Sequence, residues 1–125
     1  VLGSDLKSFF DEDVEEKIVF DENDFFEKED DGETITWLVP NSLKNEMEPI
    51  LLTLLPGVDT TVDMPHEGEE FGYVLSGEAV LHIGKKSYTI KQGNSFYFTS
   101  NKRHYIENKG NETAKILWVS SPPTF

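Results

Sequence analysis

From Thr34 onward the chain breaks into short apolar runs of period two, each closed by a turn rich in Gly, Asn or Ser. Thr34-Ile35-Thr36-Trp37-Leu38-Val39 is β-branched and aromatic and stops at Pro40-Asn41-Ser42, the composition of a strand and its breaker. The stretch from Glu48 to Leu55 fits helix or strand by periodicity, but Pro49 and Pro56-Gly57 hold it to strand length. Further runs at 71–75, 79–83, 87–90, 95–98, 104–107 and 114–120 are separated by Ser76-Gly77, Gly84, Gly93, Ser100-Asn101 and Gly110-Asn111. Many short strands punctuated in this way predict an all-β sandwich or barrel. No long amphipathic helix is predicted after Phe10, and there is no internal repeat.

The N-terminal third has a different texture. Residues 11–33 carry 13 of the 24 acids, with Ile18-Val19-Phe20 and Phe25-Phe26 set between them. Like-charge blocks are usually solvated. The interspersed apolar residues predict short edge strands that lay them on a core while the acids stay wet. The expected organisation is a separate stretch at 1–10, an acidic linker or edge segment at 11–33, and a β domain at 34–125.

Composition narrows the function classes. At 125 residues the chain is one domain by length. The absence of Cys rules out a disulfide framework or a thiolate metal site. No run approaches the ~20 apolar residues of a membrane-spanning helix, and no secretion signal opens the sequence, so a cytoplasmic chain is expected. A net charge of −13 repels phosphate backbones, so this chain by itself is not expected to bind nucleic acid; the same field would gather cations. There is no nucleophile elbow, phosphate cradle or dinucleotide fingerprint.

The chemistry-bearing residues lie between Gly57 and Asn108. The first stretch carries Met64-Pro65-His66, then Glu70, then Gly77; the second carries Gly93, Thr99-Ser100-Asn101, His104 and Asn108. Alternation along a strand puts Met64 and His66 together. It likewise groups Glu70 with Gly72 and Val74, and His104 with Ile106 and Asn108. This spacing resembles the two signature motifs of the cupin superfamily, with Met64 where the first motif has its first histidine and Thr99 where the second has a proline. The resemblance implies a double-stranded β-helix, the cupin jelly roll, in which His66, Glu70 and His104 converge inside the barrel. Two imidazoles and a carboxylate form a ligand set for divalent Fe, Mn, Ni or Zn, whereas a thioether at Met64 is a poor partner for such ions.

Residues 1–10, Val1-Leu2-Gly3-Ser4-Asp5-Leu6-Lys7-Ser8-Phe9-Phe10, look like the closing helical segment of an XRE-type helix-turn-helix domain. Together with 47–125 they resemble the XRE–cupin transcription regulators. That resemblance implies a short N-terminal helical stub and a DNA-contacting domain ahead of it. It also implies a cupin-mediated homodimer and a small-molecule effector lodged against Met64, His66, Glu70, His104 and Ile106. Resemblance to polyamine-responsive members, together with the acid excess, points to putrescine or spermidine. Three readings of the polar cluster stay open: an effector pocket without metal, a metal-bound sensor, and hydrogen-bonded core residues. A metal-dependent cupin enzyme, of dioxygenase or isomerase type, is the alternative class. His82 is expected to be a partly exposed strand residue, and Phe96 and Phe98 to be core.

Overall fold

The computed structural model describes residues 17–125; the expected helical stub at 1–10 lies outside them. Among the described residues nine strands form in order: β1 Phe26–Asp30, β2 Glu33–Trp37, β3 Glu48–Leu54, β4 Glu69–Ser76, β5 Glu78–Ile83, β6 Lys86–Lys91, β7 Ser95–Thr99, β8 His104–Glu107 and β9 Ala114–Ser121. A single 3-10 turn, Ser42–Lys44, is the one helical element among the described residues. The runs expected from alternation coincide with β2 to β9 within a residue or two. The proline-bounded segment at Glu48 is a strand, with every second side chain buried.

The strands form two antiparallel sheets, one in the order β1-β2-β3-β9-β4-β7 and the other β6-β5-β8. Their inner faces share one core: Ile50, Leu52 and Leu54 from β3, Val74 from β4, Leu81 from β5, Ile106 from β8, and Ile116 and Trp118 from β9. The all-β jelly-roll architecture expected from the motifs is present. In β4 the alternation is complete, with Glu70, Gly72 and Val74 buried and Phe71, Tyr73 and Leu75 exposed.

Two local choices hold the site's frame. Gly72 faces Phe96 across the β4–β7 ladder, and a Cβ there would overlap the Phe96 ring. Only glycine lets that ring lie across β4 and meet Trp118 edge-on at 5.9 Å. The buried Glu48 carboxylate accepts from Trp37 Nε1 (3.0 Å) and from the backbone N–H groups of Thr124 (2.9 Å) and Phe125 (2.7 Å). It thereby pins the C-terminal tail against the same sheet, where the Phe125 ring packs edge-on to Trp118.

The acidic segment departs from expectation at one end. Phe26–Asp30 does form the edge strand β1, paired to β2, but Ile18 and Val19 lie outside any strand, 82% and 80% exposed. The Lys17 ammonium bridges Asp24 at 2.7 Å, and the Asp24 carboxylate also accepts the Asp21 N–H at 2.9 Å. That turn satisfies the local polar groups without burying Ile18 or Val19.

Candidate functional site

Glu70 projects inward from β4 and His104 from β8, both essentially fully buried. His66 comes from the connection before β4, where its backbone N–H donates to Ser100 O at 2.8 Å. The three side chains meet: His104 Nε2 lies 2.8 Å and His66 Nε2 3.4 Å from Glu70 Oε2. Their donor atoms all fall within 4.8 Å of one another. Ser100, itself buried, donates its hydroxyl to the same Oε2 at 2.7 Å.

Each imidazole is oriented by a backbone carbonyl. His66 Nδ1 reaches Glu67 O at 3.0 Å, and His104 Nδ1 reaches Lys102 O at 2.8 Å. A carbonyl only accepts, so the hydrogen sits on Nδ1 in both rings, and both Nε2 atoms turn toward the carboxylate. His104 Nε2 is close to Glu70 Oε2 without hydrogen-bond alignment, and Glu70 Oε1 has no partner either. Two imidazole nitrogens and a carboxylate facing one another call for a positive charge between them, a proton or a cation. A ring N–H held by a carbonyl while the other nitrogen points to a shared centre is the usual support of a metal-ligating histidine. The donor set therefore fits a divalent cation.

Without metal, a proton takes that place. Burial pushes the His104 imidazolium pKa down, but the Asp63 and Glu70 carboxylates and the Lys102 carbonyl outweigh it and hold it up at about 10. Asp63 was not anticipated from the sequence. Its Oδ2 lies 3.4 Å from His104 Nε2, making it the fourth titratable side chain at the cluster. Met64, expected to point inward with His66, is instead 63% exposed. The connection touches β8 through the Asp63–His104 bridge. Bridged residues share a face, so Asp63 turns inward and its neighbour Met64 outward.

Ile106 is fully buried in the hydrophobic core. Asn108 is a structural pin: its Nδ2 donates to Leu54 O and Glu112 O, and its Oδ1 accepts from Gly110 N–H. His82 is partly exposed on β5, stacked on Tyr105 at 4.3 Å and 2.9 Å from Glu107 Oε1.

Beside the cluster lies a cavity of about 320 Å³. The inward row of β1 and β2 supplies Lys28, Asp30 and Glu33, the connection supplies Asp63, and Trp37 and Trp118 wall it. Met64, His66, Glu70, His104 and Ile106 do not line it; Asp63 belongs to both cavity and cluster. Burial, then repulsion from Asp30 and Asp63, pushes the Glu33 carboxyl up. Trp118 is 2% exposed and its indole N–H has no partner. Three carboxylates and one ammonium in a cavity that two indoles also line suit a small organic cation.

The sequence profile described as Cupin domain matches residues 50–120, which include the triad and both motifs. The chain belongs to the cupin domain family. Among curated relatives, this cupin is 29% identical over 128 residues to the HTH-type transcriptional regulator PuuR of Escherichia coli, a match spanning 100% of this chain and 69% of that protein. The solved fold of a predicted oxalate decarboxylase from Thermotoga maritima superposes with a TM-score of 0.73 at 23% identity, covering 83% of this chain and 98% of that one. The cupin domain of an XRE-family transcriptional regulator from Enterobacter cloacae gives 0.66 at 21% identity, covering 74% and 99%. At those identities the two solved structures speak for the fold alone.

Proposed function

We propose that this cupin is the effector-sensing domain of a helix-turn-helix transcription regulator, and that its effector is a small organic cation of the polyamine class, putrescine or spermidine. The observation that carries the reading is the cavity beside the triad, whose Asp30, Glu33 and Asp63 carboxylates outnumber the Lys28 ammonium. The relationship to PuuR across the whole chain supports the regulator role. In this reading DNA is contacted by a helix-turn-helix domain on the same polypeptide, in the cytoplasm, and two cupins join as a homodimer. The acid-rich chain described here would not itself touch DNA.

An alkyl diamine offers an ammonium at each end and a methylene chain between. One ammonium would sit among Glu33, Asp30 and Asp63, the methylenes between Trp37 and Trp118. Affinity alone does not switch a regulator. The effector must bind one arrangement of the protein better than another, and Asp63 is placed to report occupancy to the buried His104. Ile106, expected as an effector contact, would act through the fold rather than by touching the ligand, and the exposed Met64 would take no part in binding.

Calorimetric titration of putrescine and spermidine at low salt tests the reading, with butane-1,4-diol as the uncharged control. Saturable heat with the amines and none with the diol is expected; no heat with any of them would overturn it.

The triad supports a second reading, a metal-dependent cupin enzyme acting on a small polar substrate. His66, Glu70 and His104 would hold the ion, which would supply Lewis acidity, with Asp63 within reach of the same site. Stoichiometric iron, manganese, nickel or zinc in chelator-free protein, lost on His104→Ala, would favour it.

A further inference from the structure

The outer face of the three-stranded sheet carries chemistry that neither the triad nor the cavity uses. Register sets Ser87 of edge strand β6 and Tyr105 of β8 on either side of His82 in β5, and Glu107 follows Tyr105 by two residues on the same face. His82 Nε2 lies 2.9 Å from Glu107 Oε1, and His82 Nδ1 lies 2.9 Å from the Ser87 hydroxyl. A carboxylate only accepts, so in the neutral ring the hydrogen sits on Nε2 and Nδ1 accepts from Ser87. Tyr105 stacks on the imidazole at 4.3 Å and fixes its plane. The hydrogen bond with His82 holds the Glu107 carboxyl below its ordinary range, so it is a carboxylate at neutral pH. Ser87 itself is exposed. A reachable hydroxyl on a base that a third group orients is the arrangement of an activated nucleophile.

Two neighbouring features bear on what would react there. The two-residue turn Gly84-Lys85 closes on the Ile83–Lys86 pair, and hydrogen-bonded pairs alternate along an antiparallel ladder. Ser87, in the next pair, therefore turns its backbone N–H away from β5 to the open edge of the sheet, where it can donate to an oxyanion formed at its own hydroxyl. The same corner gathers cations on a chain of net charge −13. A cavity of about 450 Å³ is lined there by Val62, Gly84, Lys85, Lys102, Arg103 and Tyr105, three cations and no carboxylate among the described residues. Tyr105 belongs both to this cavity and to the stack on His82. Such a corner attracts a compact anion.

We propose that Ser87 is a nucleophilic acylation site, with His82 as its general base and Glu107 as the residue that positions His82. The donor is an acyl phosphate, which joins a carbonyl electrophile to a small anionic leaving group that Lys85, Lys102 and Arg103 attract. Ser87 Oγ bonds to the acyl carbon while His82 Nδ1 takes the hydroxyl proton and Glu107 stabilises the imidazolium. The bond from that carbon to the phosphate oxygen then breaks. Phosphate leaves with the proton from His82, and Ser87 remains as an ester. The inference does not rest on what fills the carboxylate cavity.

Acetyl phosphate and the 125-residue chain test this by peptide mass mapping, with neutral hydroxylamine to separate serine esters, which it cleaves, from lysine amides, which survive. Ser95, an exposed serine of β7, is the reference inside the same folded chain. Ester should form at Ser87 about a hundredfold faster than at Ser95, and His82→Gln should remove that advantage. Glu107→Ala should slow Ser87 about tenfold and give mixed His82 tautomers in imidazole nitrogen NMR. Arg103→Gln should slow acetyl phosphate about threefold and leave the neutral donor p-nitrophenyl acetate unchanged. All these positions lie on the outer face or in surface turns, and circular dichroism checks the fold of each variant. Acetyl found on lysines alone would overturn the proposal, as would equal rates at Ser87 and Ser95. A Ser87 rate unchanged in His82→Gln would equally overturn it.

Discussion

The triad and the cavity lie side by side and share Asp63, yet they are built on opposite terms. In the triad, Glu70 and His104 are closed from solvent, held by Ser100 and the Lys102 carbonyl, and one positive charge balances the set. In the cavity, Asp30, Glu33 and Asp63 share the lining with one lysine, and burial and repulsion from Asp30 and Asp63 raise the Glu33 carboxyl. A closed, balanced site stabilises the fold with or without a guest. An open site with surplus charge gains from a cation, and that is what a sensor requires.

The sharpest break of this contrast is Glu70→Ala. It strands the His104 imidazolium in the core, and losing one partner of a buried pair costs about 3–5 kcal/mol. Urea unfolding should show the loss; a cost below about 1 kcal/mol would mean the cluster is not a balanced buried pair.

Glu33→Gln should act the other way. Removing a repelled carboxylate should leave stability unchanged or raised by about 0.5 kcal/mol, while putrescine affinity falls about tenfold with the lost charge-assisted contact. Calorimetry and thermal melts on one preparation check both halves.

The two sites also titrate in different windows. The His104 pKa in the folded protein, about 10, lies above its ordinary 6.5. Its contribution is therefore complete below pH 6.5 and is lost as pH rises toward 10 in metal-stripped protein. Glu33 is also raised, above 4.5, so its contribution is lost earlier, as pH climbs past that ordinary value. Melting temperature should fall as pH rises from 4 to 10, and Glu33→Gln should remove only the acidic part of that fall.

Met64→Ala should be nearly silent, within about 0.5 kcal/mol, because the side chain is mostly in solvent. A larger loss, or loss of amine binding, would return Met64 to the site.

Much of this was legible in the sequence, for identifiable reasons. Glycine and asparagine turns cut the chain after Thr34 into strands, so β2 to β9 are legible, and in β3, β4, β8 and β9 burial alternates strictly, so the inward set of Glu70, Val74, His104 and Ile106 follows from alternation. Asp63 was not legible, because the connection before β4 is not a strand. One bridge to His104 sets which residue turns inward, and the alternation does not run on through Pro65 to His66. The cavity was hidden by its own chemistry. Lys28, Asp30 and Glu33 look like solvated edge charges until the register of β1 on β2 shows that they share the inner face with Ile35 and Trp37.

The most direct test of the central claim, that the amine is held by the open carboxylate cavity rather than by the closed triad, is putrescine titration of the chelator-stripped parent, Glu33→Gln and His66→Asn. The account predicts saturable binding in the parent, about tenfold weaker binding in Glu33→Gln, and binding within about twofold of the parent in His66→Asn. Binding lost in His66→Asn and kept in Glu33→Gln would contradict it.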